Sequence, residues 1–283
     1  VIRVYTAEQT TFSQLRIGLL KAVAAQAAAA IEHARLLDET RQAEQLERQV
    51  QMAAEVQQRM VPQTPPVIPG LQLATAYVPA YTLGGDFYDL IPLPDSNIGL
   101  VVADVSGKGV PASLIMASVR AALRAQVDNV YYLYEVIRRL NVMLHRDTKD
   151  TEFVTLFYGV SDAGAGRPTY CNAGHPPGLL LRSGQVTTLD SANMVLGVDP
   201  GQQYTQALVD LRPGDTLLLY TDGLADAMNV KKETFGRSRI LEIYSRGGSS
   251  AEVVSQNLLS ERRQFAGAAK PSDDVTMIVA RIT

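Results

Sequence analysis

The chain has 283 residues, enough for one large domain or for one domain with an appendage. Hydrophobic residues make up 46% and charged residues 19%, so a sizeable core can form. A net charge of −3 without any Lys/Arg block argues against nucleic acid or an anionic membrane surface as the main partner. The single Cys171 cannot close an internal disulfide, no apolar run reaches the ~20 residues that span a bilayer, and no secretory signal opens the chain. A cytoplasmic protein without membrane insertion is expected, and the start at Val1 suggests a piece of a longer one.

From Ser13 to Met60 no proline occurs and Gly18 is the only glycine, which predicts one long helix. Within it Leu36, Glu39, Ala43, Leu46, Val50, Ala53, Gln57 and Met60 fall on alternating steps of three and four, the seam of a coiled coil. So narrow a stripe suits a partner helix better than a broad core, and a homodimer through this helix is expected; an amphipathic helix packed on its own domain is the alternative. Pro62, Pro65, Pro66 and Pro69 stop the helix at Val61 and mark a domain boundary.

Beyond the prolines the period changes. Strands are predicted at Leu71–Val78, Phe87–Leu93 and Ile98–Val105, the last two joined by the turn residues Pro94 to Asn97. A helix led by Pro111 runs to about Val127, and a second from Val130 to His145. Strands resume at Phe153–Val160, Pro168–Asn172, Gly178–Arg182, Val186–Leu189, Tyr204–Val209 and Asp215–Tyr220. Helices at Arg237–Tyr244 and Ala251–Phe265 and a last strand at Val275–Ile282 complete the chain. Helix pairs set between many strands predict an α+β fold, a sandwich with sheets inside and helices outside.

Four stretches place an aspartate at a strand end or start beside small residues: GGDFYD with Asp86, ADVSGKG with Asp104, YTDGLADA with Asp222, and SDDVTMIVAR with Asp273 and Asp274. Any one of these is commonly a turn former or a cap. Together they are harder to dismiss, because Asp104 and Asp222 each end a strongly apolar strand, where a charge is costly without a compensating cation or several donors. Three scattered histidines and one cysteine do not match zinc-site spacings. Hard oxygen donors without soft ones point to Mg²⁺ or Mn²⁺.

With NAGHPP between them, these motifs in this order resemble the SpoIIE/RsbU-type phosphatases, a bacterial branch of the PPM superfamily of metal-dependent serine/threonine phosphatases. The resemblance covers about Glu55 to Ile282 and takes in the entry segment EVQQRMVPQTPP. It implies a PPM-type β-sandwich flanked by helices on both faces in residues 62–283. Upstream, VIRVYTAEQTTFSQLRIGLLKAVAAQAAAAIEHARLLDE is similar to the last strand and helix of a GAF sensor domain. Residues 1–35 are therefore expected to be its remnant, and 36–61 a coiled-coil signalling helix.

Carried over by residue, the resemblance makes Asp104 a carboxylate bridging two metal ions. Asp86 and the Val105 carbonyl would complete one metal, and Asp222 with Asp273 the other. Asp89 and Asp274 would orient ligands or waters. The implied reaction is hydrolysis of phosphoserine or phosphothreonine on a regulatory protein, an anti-anti-sigma factor of STAS type, by water activated at two Mn²⁺ or Mg²⁺. Two departures stand out. Many relatives have a histidine soon after the bridging Asp, where Val105 and Ser106 stand here; relatives outside this branch carry a phosphate-gripping arginine ahead of the first acid, where Tyr81, Thr82 and Leu83 stand. The general acid is thus unassigned, and His175 of NAGHPP is read as structural. The competing reading is a catalytically silent dimeric module that binds a partner. A nucleotide cyclase, suggested by the letters GGD, fails because no Glu-Phe follows.

Overall fold

The computed structural model describes residues 2–3, 5–7, 9, 11–94, 97–127, 132–161, 168–190 and 192–283. The chain divides into two compact units, Val1–Met52 and Ala53–Thr283. The first holds most of helix α1 (Gln14–Met60), which ends two residues before Pro62. No strand is assigned among the described residues ahead of it. Seam positions Leu36 and Leu46 are exposed, as are Leu37, Met52 and Val56 off the seam. Gln57, assigned to the same stripe, is instead buried in the second unit along with Ala54.

In the second unit, β1 (Leu71–Val78), β10 (Val275–Ile282), β9 (Thr216–Tyr220), β6 (Gly178–Arg182) and β7 (Gln185–Leu189) form one antiparallel sheet in that order. The other runs β2 (Phe87–Pro92), β3 (Ile98–Val105), β4 (Val154–Val160), β5 (Thr169–Ala173) and β8 (Ala207–Leu208). The residues expected to turn between β2 and β3 include 95 and 96, which lie outside the described residues, as does 130, the expected start of the second helix.

Side-chain alternation builds the layers. Leu100 and Val102 of β3 face inward with Leu90, Phe157, Leu217, Leu219 and Ile278, forming the core between the sheets. Val101, Ala103 and Val105 face outward, where α2 (Val110–Val127) and α3 (Leu133–Asp147) cover them with Met116, Val119, Leu123, Ile137 and Leu140. On the far side α4 (Gly236–Ser245) and α5 (Ala251–Ala266) cover Leu218, Met277 and Val279 with Ile240, Tyr244 and Leu258. A strand buried on both faces needs no polar residue, which is why GLVVAD reads as a continuous apolar run.

The strand expected over Tyr204–Val209 shrinks to Ala207–Leu208. The Thr205 N–H and hydroxyl both donate to Asn193 Oδ1, at 2.9 and 3.1 Å, so a side chain takes the ladder bonds that a longer strand would make.

Candidate metal centre

In an antiparallel pair the start of one strand lies beside the end of the next. Phe87 pairs with Ala103, so Asp86, just before β2, lies beside Asp104 near the end of β3. Met277 pairs with Tyr220, so Asp222, just after β9, lies beside Asp273 and Asp274, just before β10. A hydroxyl joins the two pairs across the sandwich: Thr221 Oγ1 donates to Asp86 Oδ2 at 2.6 Å. Four motifs spread over some 190 positions thus arrive at one end of the second unit.

Close backbone approach shapes the first loop. A Cβ at Gly84 would fall 2.3 Å from Asp274 Oδ2, and one at Gly85 would fall 2.9 Å from the Val105 carbonyl oxygen. Only glycine lets this loop lie against its neighbours. Asp274 accepts the N–H groups of Ala80 and Gly85 at 2.8 and 3.0 Å, so it ties the GGD loop to the start of β10. From the other side Gln57 clamps Gly84: its Nε2 donates to the Gly84 carbonyl at 2.6 Å, and its Oε1 accepts the Gly84 N–H at 3.2 Å.

The electrostatics are strained. Burial first, and then the charge of Asp104, push Asp86 well above the usual carboxylate range. Burial and the charge of Asp222 push Asp104 up to about 6. Asp222 is raised by burial and by Asp273, and Asp274 is raised mainly by burial. The ion pair that reaches these acids joins Lys108 Nζ to Asp273 Oδ2 at 3.0 Å. Among the described residues no three Asp, Glu, His or Cys side chains converge into a closed ligand cage. The like charges thus add to burial in raising Asp86, Asp104 and Asp222, with Lys108 paired only to Asp273 among the acids. All-oxygen donors, a half-buried setting and uncompensated negative charge suit hard divalent cations, and the chain's residues fit such ions in kind.

Asp89 is placed differently. It is fully buried, with Arg124 Nε at 2.6 Å and Nη2 at 2.7 Å, Arg120 Nε at 3.1 Å, and the Leu90 N–H at 2.9 Å on its oxygens. It joins β2 to α2. His175 is buried too, with Nδ1 2.8 Å from Thr155 Oγ1, its N–H on Asn172 Oδ1 and its carbonyl accepting from Asn172. Burial pushes its pKa down to about 3, so near neutrality it is an uncharged packing residue. Sequence reasoning passed over Thr221, Gln57 and Lys108. The TD pair at the end of β9 could have flagged Thr221, but nothing local to Gln57 signals a partner 27 positions away.

The model of the family described as Stage II sporulation protein E (SpoIIE) matches residues 94–283. The chain belongs to the SpoIIE family. Among relatives, the protein IcfG of Synechocystis sp. is 31% identical over 258 residues, which is 81% of this chain and 41% of IcfG. Phosphoserine phosphatase RsbU of Bacillus subtilis is 27% identical over 242 residues, 84% of this chain and 71% of RsbU. The chain therefore spans less than half of IcfG and most of RsbU. Among solved structures, the SiaA-PP2C domain of Pseudomonas aeruginosa matches with a TM-score of 0.76 at 20% identity, over 85% of this chain and 98% of that one. The catalytic domain of the serine/threonine phosphatase PstP, solved in complex with 2 manganese ions, matches with a TM-score of 0.57 at 19% identity, over 75% of this chain and 98% of that one. The SpoIIE-family fold seen here is thus that of the PPM phosphatases, as the motifs implied. Among the described residues no helix is long and apolar enough to cross a membrane.

Proposed function

We propose that the chain is a metal-dependent protein phosphatase that hydrolyses phosphoserine or phosphothreonine on a regulatory protein. The supporting observation is that Asp86, Asp104, Asp222 and Asp273 lie at one end of the sandwich, where burial and neighbouring acids raise the pKa of the first three and Lys108 pairs with Asp273. Asp104 lies between Asp86 and Asp222 in the chain of mutual charge effects, which suits a carboxylate shared by two ions. Asp86 with the Val105 carbonyl would hold one ion, and Asp222 with Asp273 the other. Two Mn²⁺ or Mg²⁺ ions bound there supply the Lewis acidity that lowers the pKa of a water and neutralises charge on phosphoryl oxygens.

The chain's own residues do the positioning. Thr221 fixes one Asp86 oxygen, Asp274 braces the GGD loop, and Gln57 holds Gly84 from α1. His175 reaches Thr155, the strand partner of Asp104, and no histidine hydrogen bond to the acids themselves is seen among the described residues, so the general acid stays unassigned. The substrate we propose is a phosphoprotein, a reading that RsbU, a phosphoserine phosphatase by name, supports, and its STAS type is what the resemblance of the motifs implies. We also propose that residues 1–35 are the end of a GAF-like sensor domain, 36–61 a signalling helix that dimerises through Leu36, Leu46 and Val50, and 62–283 the phosphatase domain. Sedimentation of the unmodified chain should give a dimer that Leu46→Asp with Val50→Asp dissociates; a monomer from the start would sink the dimer.

The activity is tested with para-nitrophenyl phosphate and a phosphoserine peptide in Mn²⁺. Hydrolysis that stops on chelation and returns with metal supports the proposal. Full turnover after exhaustive chelation would rule out the metal mechanism, and none under any divalent ion would leave a silent binding module as the better reading.

A further inference from the structure

Lys108 is an unusual cation. It sits between Gly107 and Gly109, both in the left-handed region at φ +89° and +73°. A Cβ at either glycine would meet nothing within 4 Å, so neither is there to make room for a neighbour. Both are there for backbone shape, and the shape they impose is one that ordinary residues adopt only at a cost. What that shape delivers is the lysine. Its Nζ donates to the Ser272 carbonyl at 2.5 Å, pairs with Asp273 Oδ2 at 3.0 Å, and lies 5.6 Å from the centre of the exposed Tyr81 ring.

An ion pair this exposed, with the lysine side chain 45% accessible and the aspartate 42%, contributes little to stability. Stability therefore does not explain why the lysine is held there. Substrate electrostatics does. Four acids against two divalent ions come to zero charge, and a phosphomonoester near neutrality approaches as a dianion. The site then lacks a cation of its own facing solvent. Of the other cations at these loops, Arg262 is half-buried and donates to the Gly223 main-chain carbonyl at 3.3 Å, and Lys270 is exposed three residues ahead of Asp273. Lys108 is exposed at the rim, and an ammonium has three donors, of which these contacts use two. The stretch ahead of Gly84 has no arginine to do this work; it brings the Tyr81 ring to the lysine instead.

We propose that Lys108 is the phosphate-binding residue of this site, with its third N–H on a non-bridging oxygen of the substrate phosphoryl group and Tyr81 as the platform that holds the side chain. The assignment rests on the phosphatase reading and deepens it. Lys108 contributes to binding and orientation and transfers no proton in the reaction.

The test uses the full chain as wild type, Lys108→Ala and Lys108→Arg, with melting temperature confirming that each is folded. Orthophosphate is titrated calorimetrically onto each protein in saturating Mn²⁺, Mn²⁺ affinity is measured alone, and KM and kcat are taken for a phosphoserine peptide. Lys108→Ala should weaken orthophosphate and raise KM by about tenfold or more, as for loss of a charged hydrogen bond. Arginine should recover most of both, since it keeps the charge, and Mn²⁺ affinity should stay level or tighten. Orthophosphate affinity unchanged in Lys108→Ala overturns the assignment. So does a parallel loss of Mn²⁺ affinity, which would make the lysine only a brace for Asp273. A wild type that binds orthophosphate without turnover removes the phosphatase reading, while the titrations still decide on Lys108.

Discussion

Asp86 and Asp89 lie three residues apart at the same edge of one sheet, both buried, and the protein treats them in opposite ways. Asp89 is fully neutralised, with two arginines from α2 and a main-chain N–H on its oxygens. Asp86 has a threonine hydroxyl and the company of other acids, which raise its pKa together with burial. Asp215 repeats the first pattern. Burial alone would raise it, yet Arg182 at 2.6 Å and the Arg212 N–H at 2.8 Å outweigh that and hold it below the usual range. Asp89 and Asp215, which serve the fold, are given their cations by the chain, whereas under the proposed function Asp86 would take its cation from outside.

The sharpest way to break this contrast is Asp104→Asn. Removing the carboxylate between Asp86 and Asp222 should lower phosphatase turnover at least about a thousandfold, equivalent to ~4 kcal/mol of transition-state stabilisation. A folded variant with near-normal kcat would show that the acid cluster is not the working centre.

Asp89→Asn probes the compensated side. It strands Arg120 and Arg124 against α2, and because Arg124 is partly exposed the cost should be about 2–3 kcal/mol of stability. Urea unfolding measures it. Metal affinity should change little, and a large fall in metal affinity with unchanged stability would move Asp89 into the same class as Asp86.

The smallest effect is one of sign. In the metal-free protein Asp104 holds its proton up to about pH 6, whereas the unfolded chain releases it near 4. The folded state therefore binds more protons between those values, and the stability tied to this group is present below about pH 4 and lost as pH rises through about 6. Asp104→Asn should consequently be more stable than wild type at pH 8, by on the order of 2 kcal/mol, with the gap closing toward pH 4. A variant less stable than wild type across the whole range would mean that Asp104 is compensated like Asp89.

Much of this was legible in the residues themselves. The strand and helix order followed from period and turn chemistry, because a chain buried on both faces of a sheet has little freedom in what it places there. The helix stop before Pro62 followed from local sterics, and the four acid motifs stood out because charge at the end of an apolar strand is costly wherever it occurs. Local information failed where a long-range partner decided the outcome. Asn193 captured Thr205 and shortened β8 to two residues. Gln57, in step with the coiled-coil stripe, turned into the domain to clamp Gly84. Asp86 and Asp89 sit in one hexapeptide, and only the packing of α2 on β2 supplies Arg120 and Arg124 to the second of them. The residue types set which groups could carry charge into the interior. Which of those charges found a cation within the chain was decided by tertiary contacts, since a counter-charge acts through space and its distance along the sequence is no guide to it.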